Sequence, residues 1–316
     1  MSTALGVDLG GTKMAVGAVH DELGILHRST VGTGGLEQDE LLTALAGALR
    51  ESLAAQPEAA AIGLGIPCTI DRARGIAINA VNLPIADVPI RELMTARLGL
   101  PVYVDNDANV AALAEHRFGA ARGARNAVVL TIGTGVGGGV IIDGDVYRGS
   151  SGAGPELGHT VIDRNGPPCQ GTCPSRGCVE TLASGTALGR DGRAAARAHP
   201  GSALGRALAA GATINGGAVT KAALAGDRIA GEVIDRVGTR LGVALASFAN
   251  IFEPDVFVIG GGVTAAAGDL LLDPARAELR PRALPPQNRT PVVEAALGPQ
   301  AGLIGAAAMA LEEARR

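Results

Sequence analysis

Two hydrophobic periods alternate along this chain. Apolar runs rich in Val, Ile, Leu and Ala at residues 5–9, 14–19, 61–66, 101–104, 127–132, 140–142, 255–259 and 292–297 predict short buried strands. Between them the spacing is helical. Residues 36–55 carry Leu41, Leu45, Leu49 and Leu53 at steps of four, and residues 90–98 read as a second helix. Val110, Leu113 and Ala114 open a third, residues 179–252 are mostly helical, another helix follows residue 262, and an Ala-rich helix starts at Gly302. Such alternation predicts an α/β fold. The order strand, glycine turn, strand at residues 5–19 recurs at residues 127–142, so a second domain is expected to begin near residue 119.

With 316 residues, 47% of them hydrophobic, the chain can bury a core of normal size despite 2% aromatics and no Trp. Its 47 glycines imply tight turns and close backbone approaches. A net charge of −4 and no basic run argue against nucleic acid or an anionic membrane as partner. The first six residues lack a basic segment leading into an apolar one, and the longest uncharged run, residues 126–142, is too short and Gly-rich for a bilayer span. A cytoplasmic protein is expected, in which four cysteines are poor disulfide candidates.

Candidate chemistry begins at Asp105-Asn106-Asp107-Ala108-Asn109, between a strand and a helix. A helix cap needs one short polar side chain, and four of these five residues are Asp or Asn. Ligands of open α/β sheets bind beyond the carboxyl ends of strands, where a carboxylate could accept a proton from a substrate hydroxyl. A generously supplied cap is the plainer alternative. Two glycine turns follow strands: Gly10-Gly11-Thr12-Lys13, preceded by Asp8, and Gly133-Thr134-Gly135-Val136-Gly137-Gly138. The second satisfies G-x-G-x-x-G but leads into a strand, so a dinucleotide-binding loop is ruled out by context. Glycines at positive φ are expected to aim successive N–H groups at one point in each turn, with Thr12 and Thr134 adding hydroxyls for a phosphate chain. Gly260-Gly261-Gly262 at a strand end would let a base or ribose lie on bare backbone, and Asp8 could hold Mg²⁺. Ordinary hairpins and a turn-stabilising Asp are the alternatives.

His159, Cys169, Cys173 and Cys178 lie in a Gly- and Pro-rich stretch without packing periodicity, in the order H-x9-C-x3-C-x4-C. That set matches a closed tetrahedral zinc site, structural rather than catalytic. Glu156 and Glu180 flank it, and two fixed carboxylates suit a polyhydroxy ligand. Unlinked reduced thiols and solvated glutamates are the alternatives.

Together these motifs resemble the ROK family of sugar kinases and sugar-responsive repressors, in the actin-like ATPase superfamily, over essentially the whole chain. Residues 8–13 resemble its first phosphate motif, residues 133–139 its second and residues 260–262 its adenosine motif, while Asn106-Asp107 matches the catalytic pair and Glu156-x-Gly158-His159 the sugar signature. The resemblance implies two actin-like (ribonuclease H-like) ATPase domains flanking a cleft, residues 1–118 with 302–316 and residues 119–301. It implies ATP with Mg²⁺ as donor, structural Zn²⁺, a homodimer or higher homo-oligomer, and Asp107 as the base that deprotonates the 6-hydroxyl of a hexose, glucose first. Asn82, Asn106, Asp107, Glu156, His159 and Glu180 would bind the sugar. Asp8, Gly10, Gly11, Thr12, Lys13, Gly133, Thr134, Gly135, Gly137, Gly260, Gly261 and Gly262 would hold the nucleotide. Another hexose, an N-acetylhexosamine, polyphosphate as donor, or a non-catalytic sugar sensor are the alternatives. The chain departs from the family pattern in its longer Cys169–Cys173 gap, at Pro67-Cys68-Thr69, and at Ile85-Ala86 after Pro84, which leaves the sugar open.

Overall fold

The computed structural model describes residues 2–20, 24–80 and 83–315. The chain opens with strands β1 (Thr3–Leu9), β2 (Lys13–His20) and β3 (Gly24–Gly32), then helix α1 (Gln38–Ala55) and β4 (Ala59–Ile66). Three short strands follow, β5 (Cys68–Asp71), β6 (Ile76–Ala80) and β7 (Ala86–Val88), then α2 (Ile90–Leu98), β8 (Val102–Asn106) and α3 (Asp107–Phe118). Next come β9 (Ala127–Ile132), β10 (Val136–Ile142) and β11 (Asp145–Tyr147), and the helices α4 (Val179–Ala183), α5 (Gly185–Ala198), α6 (Ala203–Ala209), α7 (Gly216–Leu224) and α8 (Arg228–Phe252). The chain closes with β12 (Val256–Gly260), α9 (Gly262–Ala267), α10 (Asp269–Arg282), β13 (Val292–Glu294) and α11 (Ala301–Ala314). No helix among the described residues is long and apolar enough to cross a membrane.

Two compact units result. The first comprises residues 1–123, 139–155 and 299–316, the second residues 124–138 and 156–298. Residues 139–155, expected in the second domain, therefore pack with the first unit: the β10 backbone at Gly139 comes so close to α3 that a Cβ there would stand 2.8 Å from Ala108 O.

In the first unit the sheet order is β3-β2-β1-β4-β8, with β1, β2 and β3 antiparallel and β4 and β8 parallel to β1. The register sets Asp8 beside Gly65 and Gly65 beside Asp105, so three functional strands end level with one another. Helix α11 packs onto this sheet at backbone distance. A Cβ on Gly6 would lie 2.1 Å from Leu303 O, one on Gly63 1.8 Å from Ala306 O, and one on Gly305 1.7 Å from Val110 O. The close fit draws α11 against β1, β4 and α3 through small residues, and on the opposite sheet face Leu5, Val7, Ile62 and Leu64 pack with Leu45 of α1.

The second unit places β12 parallel to both β9 and β13. Helix α8, with Ile229, Val233, Val237, Leu241 and Leu245 buried, is its central support. Glycines again permit close contact, a Cβ on Gly242 meeting Ala275 O of α10 at 2.5 Å.

Three features differ from the sequence expectations. Strand β3 and the antiparallel sheet β5-β6-β7 are not among the strands predicted from apolar runs, and β3 indeed buries little of its surface and lacks a continuous apolar run. Strand β10 begins at Val136, so the second glycine turn spans only residues 133–135 and Gly137 is a strand residue. Positive φ is found at Gly261 (90°) but not at Gly10, Gly11, Gly133, Gly135 or Gly137, so the expected nest of left-handed glycines does not form. Gly10 is needed for a different reason: a Cβ there would stand 2.9 Å from Lys13 O, the carbonyl that closes the turn.

Candidate active site

Strand β8 carries its polar residues directly into α3. Asn106 is the cap of that helix, its Oδ1 accepting from the N–H groups of Ala108 (2.9 Å) and Asn109 (3.3 Å), while its Nδ2 donates to Cys68 O at 3.5 Å. Asn106 thus supplies the side-chain cap of α3. Asp107 is the first helical residue, half-buried, in a turn pressed onto β4, where a Cβ on Gly65 would lie 2.6 Å from Val110 Cγ2 and 3.7 Å from Asp107 Cα. Burial pushes the Cys68 thiol up to about 12, and the Asp107 carboxylate adds to that, so the thiol beside Asp107 stays protonated. Asn82 lies outside the described residues.

At the neighbouring strand end, Gly10 N donates to Lys13 O at 3.0 Å and closes the first turn. Thr33 locks it: its Oγ1 donates to Gly10 O (2.7 Å) and its N–H to Thr12 O (3.0 Å). Thr12 and Lys13 are exposed, as a phosphate-facing turn requires, whereas Thr33 is buried and was not legible in the pattern. The carboxylate of Asp8 lies against Gly302 in the first turn of α11, where a Cβ would come within 2.6 Å of it. Burial raises the proton affinity of Asp8, and Arg28 and Lys13 partly oppose this. A dehydrated carboxylate at the end of a sheet fits a divalent cation, which would relieve the cost of its burial.

In the second unit, Gly133 N donates to Gly135 O at 2.9 Å, Gly185 N donates to Gly133 O at 2.8 Å, and Thr186 Oγ1 donates to Thr134 O at 2.8 Å. This frame lines a cavity of about 630 Å³ together with Arg193, Asn215, Gly216, Gly217, Thr220, Gly262, Val263 and Ala266. That volume lies within the range of small-molecule sites. Helices α5 and α7 present their first residues, Gly185 and Gly216, to it, and helix N-termini favour anions. The sequence reading missed Thr186, Arg193, Asn215 and Thr220. Ser184-Gly185 and Asn215-Gly216, each a cap followed by glycine, were the available signal.

The turn at residues 157–159 presses on the start of β10, a Cβ on Gly158 standing 2.0 Å from Val136 O. Partial desolvation raises the proton affinity of Glu156, with His159 opposing and Glu180 adding to the effect. Glu180 Oε2 accepts from Val136 N at 3.0 Å, so this expected sugar ligand also braces the second glycine turn. The ligand atoms of His159, Cys169, Cys173 and Cys178 all lie within 4.8 Å of one another. Cys169 Sγ is 3.5 Å from His159 Nδ1, and Cys173 Sγ is 3.9 Å from Cys178 Sγ. Tetrahedral Zn²⁺ with bonds of about 2.3 Å to sulfur and about 2.0 Å to nitrogen has edges of roughly 3.5–3.8 Å, which these separations match. Paired disulfides would need about 2.05 Å. The Nδ1 geometry leaves His159 Nε2 on the side away from the sulfur cluster.

The whole chain has known relatives. Residues 4–313 match the ROK family model. A glucokinase of Streptomyces coelicolor is 38% identical over 99% of this chain and 98% of its own, and a glucokinase of Thermotoga maritima is 37% identical over 98% and 97%. A crystal structure of a ROK family glucokinase from Streptomyces griseus, in complex with glucose and AMPPNP, superimposes with a TM-score of 0.86 at 36% identity, covering 98% of this chain and 100% of that one. On both the family match and the length of these likenesses, the chain belongs to the ROK family, with the two-domain α/β fold of its glucokinases.

Proposed function

We propose that this protein is an ATP-dependent hexokinase that converts glucose to glucose 6-phosphate, with Asp107 as general base. The full-length likeness to a glucokinase described in complex with glucose and AMPPNP carries this reading. Asp107 accepts the proton of the 6-hydroxyl as that oxygen attacks the γ-phosphorus of ATP and the bond to the β-phosphate oxygen breaks. A well-placed base contributes roughly 10²–10⁴-fold in rate. Asn106, Glu156, His159 and Glu180 orient the ring hydroxyls, His159 through Nε2, and Asn82 is assigned with them from sequence. The 630 Å³ cavity takes the nucleoside, and the turns at residues 10–13 and 133–135 take its phosphates. Asp8 would hold Mg²⁺, which when bound neutralises charge on the transferring phosphoryl group. The His159, Cys169, Cys173 and Cys178 set would hold structural Zn²⁺, and the protein acts in the cytoplasm as a homodimer.

A coupled assay of purified protein tests the reading across glucose, mannose and N-acetylmannosamine, with ATP or polyphosphate as donor. Glucose with ATP is expected to give the highest kcat/KM, and Asp107→Asn to bind glucose while losing at least 10²-fold in kcat. Preference for another sugar or donor would replace glucose or ATP, and normal turnover by Asp107→Asn would remove the base.

A further inference from the structure

Asp105 is 1% exposed, and its two carboxylate oxygens have separate partners. Oδ1 accepts from Asn106 N at 2.8 Å and from Asn109 Nδ2 at 3.0 Å, which ties the end of β8 to the first turn of α3 across Asp107. Asn109 is itself buried and its Oδ1 has no partner among the described residues, so the bond to Asp105 orients its amide. Oδ2 accepts from Arg148 Nε at 2.6 Å, and Arg72 Nε stands 3.7 Å away. Arg72 pairs in turn with Glu313 near the end of α11.

Arg148 is more than a counter-charge. Its Nη1 donates to Val146 O at 3.1 Å, and its own carbonyl accepts from Gly154 N at 3.1 Å. The guanidinium therefore fastens the β11 end of the segment through Val146 O while it presents Nε to Asp105, and the backbone carbonyl of the same residue holds the Gly154 end. Gly149 and Gly152 take positive φ within this segment, at 68° and 91°, so its backbone has little stiffness of its own. A guanidinium can make these two divergent bonds at once, and an ammonium on a flexible stem cannot hold both in the same geometry.

We propose that Arg148 is a positioning residue for phosphoryl transfer, acting through Asp105 to hold the Asn106-Asp107 turn at its reactive angle. This rests on Asp107 being the base. Because Arg72 remains beside Asp105 when Arg148 is changed, the buried carboxylate keeps a cation and the fold is retained. The geometry is lost, and displacements of the order of 1 Å cost up to about 10²-fold in rate.

The test is Arg148→Lys, which keeps the charge and removes the fork, beside wild type and Asp107→Asn. Expected for Arg148→Lys are a kcat lower by about tenfold or more, an unchanged KM for ATP, an unmoved acid limb in the pH profile of kcat, and an unchanged melting temperature. Wild-type kcat would overturn the proposal. So would a displaced acid limb, which assigns Arg148 an electrostatic role, or a loss that follows the unfolded fraction, which assigns it a structural one. If Asp107→Asn itself turns over normally, the base assignment fails instead. If Asp107→Asn is inactive and Arg148→Lys is normal, only the positioning role fails.

Discussion

Gly135→Ala separates the two duties of Glu180. A Cβ at residue 135 would stand 2.1 Å from Glu180 Oε2 and 3.0 Å from its Cδ. Ordinary heavy-atom contact is about 3.5 Å, so the carboxylate must retreat by roughly 1.4 Å. That breaks its 3.0 Å bond from Val136 N and shifts a carboxylate that acts electrostatically on Glu156. A hydrogen bond to a charged group contributes about 1.5–3 kcal/mol, which at 1.36 kcal/mol per tenfold is roughly 10- to 150-fold. Steady-state kinetics with glucose and ATP are expected to show kcat/KM lower by that factor. Glu180 is half-buried and the bond lost from Val136 N is a single one, so the melting temperature should fall by no more than one hydrogen bond is worth. Gly133→Ala is the control: nothing lies within 4 Å of its Cβ position and its φ is not positive, so it should fold and melt as wild type. Undiminished kcat/KM in Gly135→Ala would refute the coupling of turn and sugar ligand. A melting temperature lowered as by a core substitution would show that the turn matters to stability and not to catalysis.

Gly63→Ala forces α11 off the first unit's sheet, since its Cβ would stand 1.8 Å from Ala306 O, and overpacking of this kind costs about 1–3 kcal/mol or more. A thermal melt should show it, and an unchanged midpoint would mean that α11 is not seated this closely. Cys178→Ser is expected to abolish bound zinc measured by elemental analysis and to lower thermal stability, because the proposed metal would organise a loop with little core; wild-type protein that carries no zinc would remove the site. For Asp8 the folded-state pKa lies above the ordinary 3.8 because burial disfavours the charge. Its contribution to stability is therefore complete below 3.8 and lost as pH rises through the folded value. Asp8→Asn should accordingly melt higher than wild type at pH 7, by a margin that shrinks on acidification, while losing activity with Mg²⁺-ATP. A margin that grows on acidification would contradict the sign.

Periodicity alone located β1, β4, β8, β9 and β12 and the long helices, because strands buried on both faces need unbroken apolar runs and helices need apolar residues at steps of three and four. It missed β3, an edge strand that buries little itself, and β5–β7 in a small separate sheet, so no run of hydrophobicity marks them. Residue type and spacing were enough to mark Asn106-Asp107, Asp8 and the His159–Cys178 set as candidates, since a base, a cation ligand and a tetrahedral donor set would each demand particular atoms. Tertiary structure alone decided what each glycine is for. Gly10 and Gly135 exclude a Cβ that would strike Lys13 O and Glu180, and their φ stays in the common region, which a left-handed reading of the turns had not anticipated. It alone brought Thr33 onto the first turn and gathered Thr186, Arg193 and Asn215 around one cavity. It also set Arg148 against Asp105, 43 positions apart. A sequence records which atoms are available, whereas contacts between residues far apart in the chain depend on where the sheet ends and helix starts bring them together in space.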